Sequence, residues 1–274
     1  MNAHVPVSSM LCMGFCLLFA FALPIGLCVF LRRRKGADLP PFFVGAGVML
    51  LFAFVLESAV NSAIFASPLG AVIRERNWLY ALFGGLMAGL FEETGRFLAC
   101  KTALKTFRVK DENALMYGAG HGGLEAIVLL GITSINNLTY SVLINAGRID
   151  TLTQGLPAEA LGQLETVIEQ LSTASPALFL LGAAERLFAL ALQLALSVLV
   201  WFAAKKPGRV WLFPLAILLH LIVDAVSGAL SLGGVSVYLI EIIIGVMAVL
   251  ACLLAWHVWR KNASPAETQQ EDLP

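Results

Sequence analysis

The sequence predicts an all-α fold: a polytopic membrane helical bundle of about seven transmembrane helices with an external loop helix. Three observations lead there. Hydrophobic residues make up 59% of the 274 and charged residues only 13%, with a mean hydropathy of +0.84, too apolar for a soluble domain with a charged surface. The apolar residues fall in runs long enough to cross a hydrocarbon core, which takes about 20 residues of helix. No segment carries the period-two alternation that a competing sheet would need.

Seven runs qualify in order, at 8–31, 40–66, 78–100, 113–133, 176–203, 210–230 and 235–259. The first is followed by "RRRK" at 32–35 and is too long for a cleavable signal peptide, so it is expected to stay as an anchor. Between the fourth and fifth runs, "PAEALGQLETVIEQL" has helical periodicity with acids on its polar face, as expected of a short helix lying over the outer mouth. Residues 1–261 form a single transmembrane domain on this reading. The polar "NASPAETQQEDLP" at 262–274 reads as a disordered cytoplasmic tail.

Orientation follows from the basic residues. Arg32 to Lys35; Lys101, Lys105, Arg108 and Lys110; Lys205, Lys206 and Arg209; and Arg260 and Lys261 all fall in alternate connections or at the C-terminal end, thirteen of the eighteen. The other side holds Arg74, Arg76 and Arg148. The N-terminus is therefore expected outside and the C-terminus in the cytoplasm, in the cell membrane of a bacterium. Eighteen basic and eighteen acidic residues cancel, so charge balance gives no reason to expect a nucleic-acid partner. The five cysteines lie in apolar segments without a CxxC pair and read as small buried apolar residues.

Seven acids fall inside the spans: Glu57, Glu92, Glu93, Glu125, Glu185, Asp224 and Glu241. Each costs on the order of 2.5 kcal/mol or more at the bilayer centre, so their pattern matters. Three spans carry a polar pair at i and i+4, which stacks two side chains on one helix face: Glu92 with Arg96, His121 with Glu125, and His220 with Asp224. Glu92 lies nine residues before Lys101, while His121 and His220 lie eleven after Lys110 and Arg209. At 1.5 Å per residue all three sit roughly 13–17 Å from the cytoplasmic edge, as a shared buried site requires. Glu57 and Glu241 fall toward the outer half by the same count. Gly85/Gly89 and Gly118/Gly122 have the spacing that lets helices touch backbone to backbone. Glu185 and Arg186 are expected to support the site as a pair.

A glutamate opposite a histidine can hold and deprotonate a water. The same donors, Glu92, His121, His220, Glu125 and Asp224, also suit a zinc ion with one open position. The residue types leave both open, so the cofactor is none or zinc. No HExxH and no nucleophile motif is present.

"EETGR" (Glu92, Glu93, Arg96), "GHGGLE" (His121, Glu125) and "HLIVD" (His220, Asp224), in that order on separate spans, resemble the YhfC family of glutamic-type intramembrane proteases, itself similar to PrsW proteases and CAAX prenyl endopeptidases. The resemblance covers roughly residues 40 to 260. It implies a peptidase in which Glu92 and Glu93 supply the general base, His121 and His220 hold water or a metal, and Arg96 orients the glutamates. Two departures stand out. CAAX enzymes typically carry asparagine where this chain has Asp224, and PrsW-like chains carry phenylalanine where it has His121, which leaves the division of roles between His121 and Glu125 open.

The expected function is an intramembrane endopeptidase acting on a membrane-associated protein or peptide. The alternatives are a proton-coupled transporter, whose buried acids would relay ions, and a non-catalytic scaffold of the same fold. Inverted repeats, the usual mark of a transporter, are not legible in the sequence.

Overall fold

The computed structural model describes residues 4–155 and 157–263; residues 264–274 of the expected tail lie outside them. Every regular element among the described residues is helical. The principal helices are α1 (Val7–Lys35), α2 (Pro40–Phe65), α3 (Pro68–Arg74), α4 (Asn77–Lys101), α5 (Glu112–Asn145), α6 (Ala158–Thr173), α7 (Pro176–Lys205), α8 (Leu212–Leu232) and α9 (Val237–Asn262).

Six of these, α1, α2, α5, α7, α8 and α9, are long and apolar enough to cross a membrane. The third expected span, α4, has 25 residues, enough in length, but it carries Glu92, Glu93, Arg96 and Lys101. Apolarity therefore does not mark it as a span. The fourth expected span, 113–133, is longer than expected, because α5 continues through "TSINNLTYSVLIN" to Asn145. Within α2 and α5, Met49–Glu57 and Ile127–Ile132 are π-helical, a widening often found beside functional sites.

The chain divides into two compact units. The smaller comprises residues up to Leu23 and Ala126–Arg186. Its core joins Val5 and Met13 to Ile144 and to Leu164, Ile168 and Leu171 of α6, the helix expected between the fourth and fifth spans. Asn145 closes the arrangement, accepting from the Val5 N–H at 2.8 Å and donating to the Val5 carbonyl at 2.9 Å.

The larger unit, Pro24–Glu125 and Leu187 onward, is organised around α7. In the most apolar stretch of α7, 72% of residues are buried, against 33% or less in the other five apolar helices. Trp201, Phe202, Leu196 and Leu199 pack there against Leu104, Tyr117, Leu212 and Ala216. Glycines set how closely the helices approach. A Cβ on Gly85 or Gly89 of α4 would stand 2.6 or 2.8 Å from the main-chain oxygens of Leu221 or Ile217 on α8. A Cβ on Gly118 or Gly122 of α5 would meet Ser197 or Leu190 and Gln193 of α7 at 2.8–2.9 Å. Both GxxxG spacings are thus helix-packing contacts.

The connections between helices are locked by polar contacts. Asp111 is buried and accepts from Trp201 Nε1 at 3.0 Å and Lys205 Nζ at 2.5 Å. Asp38, between α1 and α2, receives Lys110 Nζ and Asn113 Nδ2, both at 2.9 Å. Burial pushes the Asp38 carboxyl up, but these hydrogen bonds, with the charges of Lys110 and Arg32, outweigh it and hold the group below the ordinary carboxylate value. Apolar side chains such as Ile242, Val246, Val249 and Leu253 face outward along α9, each more than half exposed. Along α9 the larger unit therefore presents hydrocarbon outside, while Glu92, Glu93 and Arg96 of α4 are buried, as lipid requires.

Candidate active site

In α4, Glu92 and Glu93 are adjacent, so their side chains leave the helix about 100° apart. They consequently meet different neighbours. Glu92 faces α5 and α7: its Oε2 lies 2.9 Å from His121 Nε2 and 2.9 Å from Gln193 Nε2. Glu93 faces α8, where its Oε1 takes a 2.8 Å hydrogen bond from His220 Nδ1. The other nitrogen of His220, Nε2, stands 4.0 Å from Glu92 Oε2 and 3.5 Å from Asp224 Oδ2. Glu92, Glu93, Arg96, His121, Gln193 and His220 are all at most 6% exposed, while the Asp224 side chain is 39% exposed and forms the open edge of the cluster.

The Glu92/Arg96 pairing expected from i, i+4 spacing is not the one formed. Arg96 Nη1 pairs with Glu93 Oε2 at 3.4 Å, and the guanidinium also bonds the side-chain and main-chain oxygens of Gln193. Glu92 is turned instead toward His121. The His121/Glu125 spacing is bridged through another helix, since Gln193 Nε2 donates to Glu125 Oε2 at 3.0 Å. The His220/Asp224 spacing holds directly. Glu185 and Arg186 bond to each other and belong to the smaller unit.

Two residues were not singled out for the site from sequence. Gln193 is the first; its signal was a lone amide in the apolar run "FALALQLALSVLVWF" of α7, where a buried polar group is costly. Glu57 is the second. It accepts from Asn61 Nδ2 at 3.2 Å and lies within electrostatic reach of Glu92, His220 and Asp224. By residue count it lies toward the outer half, and the π-helical stretch of α2 ends at it.

Tautomers follow from the partners. An ionised Glu93 can only accept, so His220 carries its proton on Nδ1 and turns Nε2 to the space it shares with Glu92 and Asp224. A carboxylate behind an imidazole is also the usual orienting group of a metal-binding histidine. By the same argument an ionised Glu92 accepts from His121 Nε2, which leaves His121 Nδ1 to accept from Tyr117 OH at 3.4 Å. Two ligands on one zinc ion at 2.0–2.1 Å stand about 3.3 Å apart. The separations His121–Glu92 (2.9 Å), Glu92–His220 (4.0 Å) and His220–Asp224 (3.5 Å) bracket that value. Among the described residues no group of three His, Cys, Asp or Glu side chains is arranged to hold a metal ion. The donor types, two imidazoles and two carboxylates, are those that zinc takes.

No solved structure matches the chain. The family model described as "YhfC intramembrane metalloprotease" matches residues 19–245. The chain is 36% identical over 250 residues to "Uncharacterized membrane protein YhfC" of Bacillus subtilis (strain 168), covering 89% of this chain and 93% of that protein. With six apolar helices long enough to span a bilayer, it is an integral membrane protein, and it belongs to the YhfC intramembrane metalloprotease family of peptidases.

Proposed function

We propose that this chain is an endopeptidase that hydrolyses a peptide bond of a membrane-associated protein or peptide, with Glu92 as the general base. The observation that carries this reading is the convergence of His121 Nε2, Gln193 Nε2 and, more distantly, His220 Nε2 on Glu92 Oε2 in a buried cluster. Contacts to one oxygen hold the carboxylate in place and leave Oε1 to take a proton from water. Glu93 and Arg96 stand behind His220 and orient it. Asp224, at the exposed edge, faces the side from which a substrate strand would enter.

The family description names a metal, and the imidazoles of His121 and His220 with the carboxylate of Asp224 would hold it, with Glu92 beside it as the base. Bound there, zinc would polarise the scissile carbonyl and acidify a water. The order Glu-Glu, His, His on separate helices supports kinship with the PrsW and CAAX endopeptidases. The N-terminus is placed outside and the catalytic cluster nearer the cytoplasmic face, on the distribution of basic residues.

The test is made in membrane vesicles from Bacillus subtilis lacking its own YhfC protein. Parent, Glu92→Gln and His220→Ala chains of matched thermal stability are added, and new amino termini are captured by mass spectrometry. The parent should generate termini that both variants lack. A chelator should silence the parent and zinc restore it, with zinc content following activity. Identical termini from parent and Glu92→Gln would sink the proposal.

A further inference from the structure

Gln193 sits at the centre of the buried network, and its amide is used to capacity. Nε2 has two protons; one goes to Glu92 Oε2 at 2.9 Å and the other to Glu125 Oε2 at 3.0 Å. Oε1 accepts from Arg96 Nη2, and the main-chain oxygen of the same residue takes Arg96 Nη1 at 3.3 Å. An amide can usually be turned end for end without a trace, but here it cannot. A guanidinium only donates and carboxylates only accept, so one orientation alone satisfies all three neighbours.

From this geometry we infer that Gln193 is a positioning residue for Glu92, a fixed amide clamp that holds one carboxylate oxygen throughout the reaction. The inference rests on Glu92 being the general base. Glu92 has two close partners on Oε2, His121 and Gln193. An imidazole can change its protonation or tautomer during a turnover, whereas an amide does not titrate. Gln193 is therefore the partner that stays the same while protons move. Arg96, bonded to both oxygens of Gln193, prevents the clamp from turning. The amide also stands between Glu92 and Glu125, placing a donor where two carboxylates would otherwise repel each other.

The experiment compares Gln193→Met and Gln193→Asn with the parent. Methionine keeps the length but loses every polar contact; asparagine keeps the amide and draws it back by one methylene. A synthetic peptide carrying a cleavage site found in the vesicle experiment serves as substrate. Loss of an orienting partner typically costs 10–100-fold, so Gln193→Met should lose that much in kcat with KM within about twofold, and Gln193→Asn should fall between it and the parent. Independently of substrate, labelling of Glu92 by dicyclohexylcarbodiimide, read from the peptide that contains it, should be severalfold faster in Gln193→Met, because a freed carboxyl is more accessible. Ser197→Ala is the control. Among the described residues Ser197 Oγ bonds the main-chain oxygen of Gln193, at 2.7 Å, and no group of the cluster's side chains, so this variant should behave as the parent in both assays. If Gln193→Met does not fold, Gln193→Asn carries the test alone. Parent-like kcat and labelling in a folded Gln193 variant, with Glu92→Gln inactive, overturns the clamp and leaves the proposed function standing. Activity in Glu92→Gln overturns both.

Discussion

Replacing Gly85 with alanine should damage the site from a distance, and its neighbour supplies the control. A Cβ on Gly85 would lie 2.6 Å from the Leu221 carbonyl and 2.8 Å from the Ala225 nitrogen, both main-chain atoms of α8, whereas ordinary contact begins at 3.4 Å. Backbone cannot swing aside as a side chain can, so α8 must retreat by about 0.8 Å. His220 is the residue before Leu221. The same displacement would stretch its 2.8 Å bond to Glu93 to about 3.6 Å, beyond hydrogen-bonding reach. A misplacement of about 1 Å can cost on the order of 100-fold in rate, so a loss of roughly 30-fold in kcat is expected. Overpacking should cost about 1–3 kcal/mol of stability, offset by up to about 1 kcal/mol from the better helix propensity of alanine. Gly84, one position away, has nothing within 4 Å of its Cβ, so Gly84→Ala keeps only the propensity gain. Thermal unfolding in detergent and peptide cleavage would be measured for both. If the two variants behave alike, the argument that backbone contact between α4 and α8 sets the position of His220 is wrong.

Asp38 makes a pH-dependent contribution whose sign follows from its lowered carboxyl. Its stabilisation should be complete above the unperturbed value of 3.8 and fade as pH falls through the lower folded value. The melting-temperature difference between parent and Asp38→Asn should therefore be constant above about pH 4 and shrink below it; a difference that shrinks as pH rises would refute the assignment. Reporter fusions in the 101–112 connection should report the cytoplasm, since four basic residues lie there; an external signal would reverse the orientation and move the cluster to the outer half.

The sequence by itself determined the class of fold and the helices, because a run of some twenty apolar residues can satisfy its own backbone in lipid only as a helix or in a closed barrel. It also led to the expectation that Glu92, His121 and His220 share a depth, since rise per residue is a property of each helix alone, and the structure brings the three side chains together. The far end of α5 was not legible, because hydropathy marks the part of a helix that faces hydrocarbon and misses the polar continuation to Asn145. Only the tertiary structure decided which glutamate meets which histidine, that Arg96 turns to Glu93 and Gln193, and that Gln193 links Glu92 to Glu125. Sequence spacing sets the phase of a side chain on its own helix. The rotation of one helix against the next is set by packing, here by glycine-lined contacts between α4 and α8 and between α5 and α7. That rotation brings side chains a hundred residues apart, Glu92 and Gln193, to within 2.9 Å.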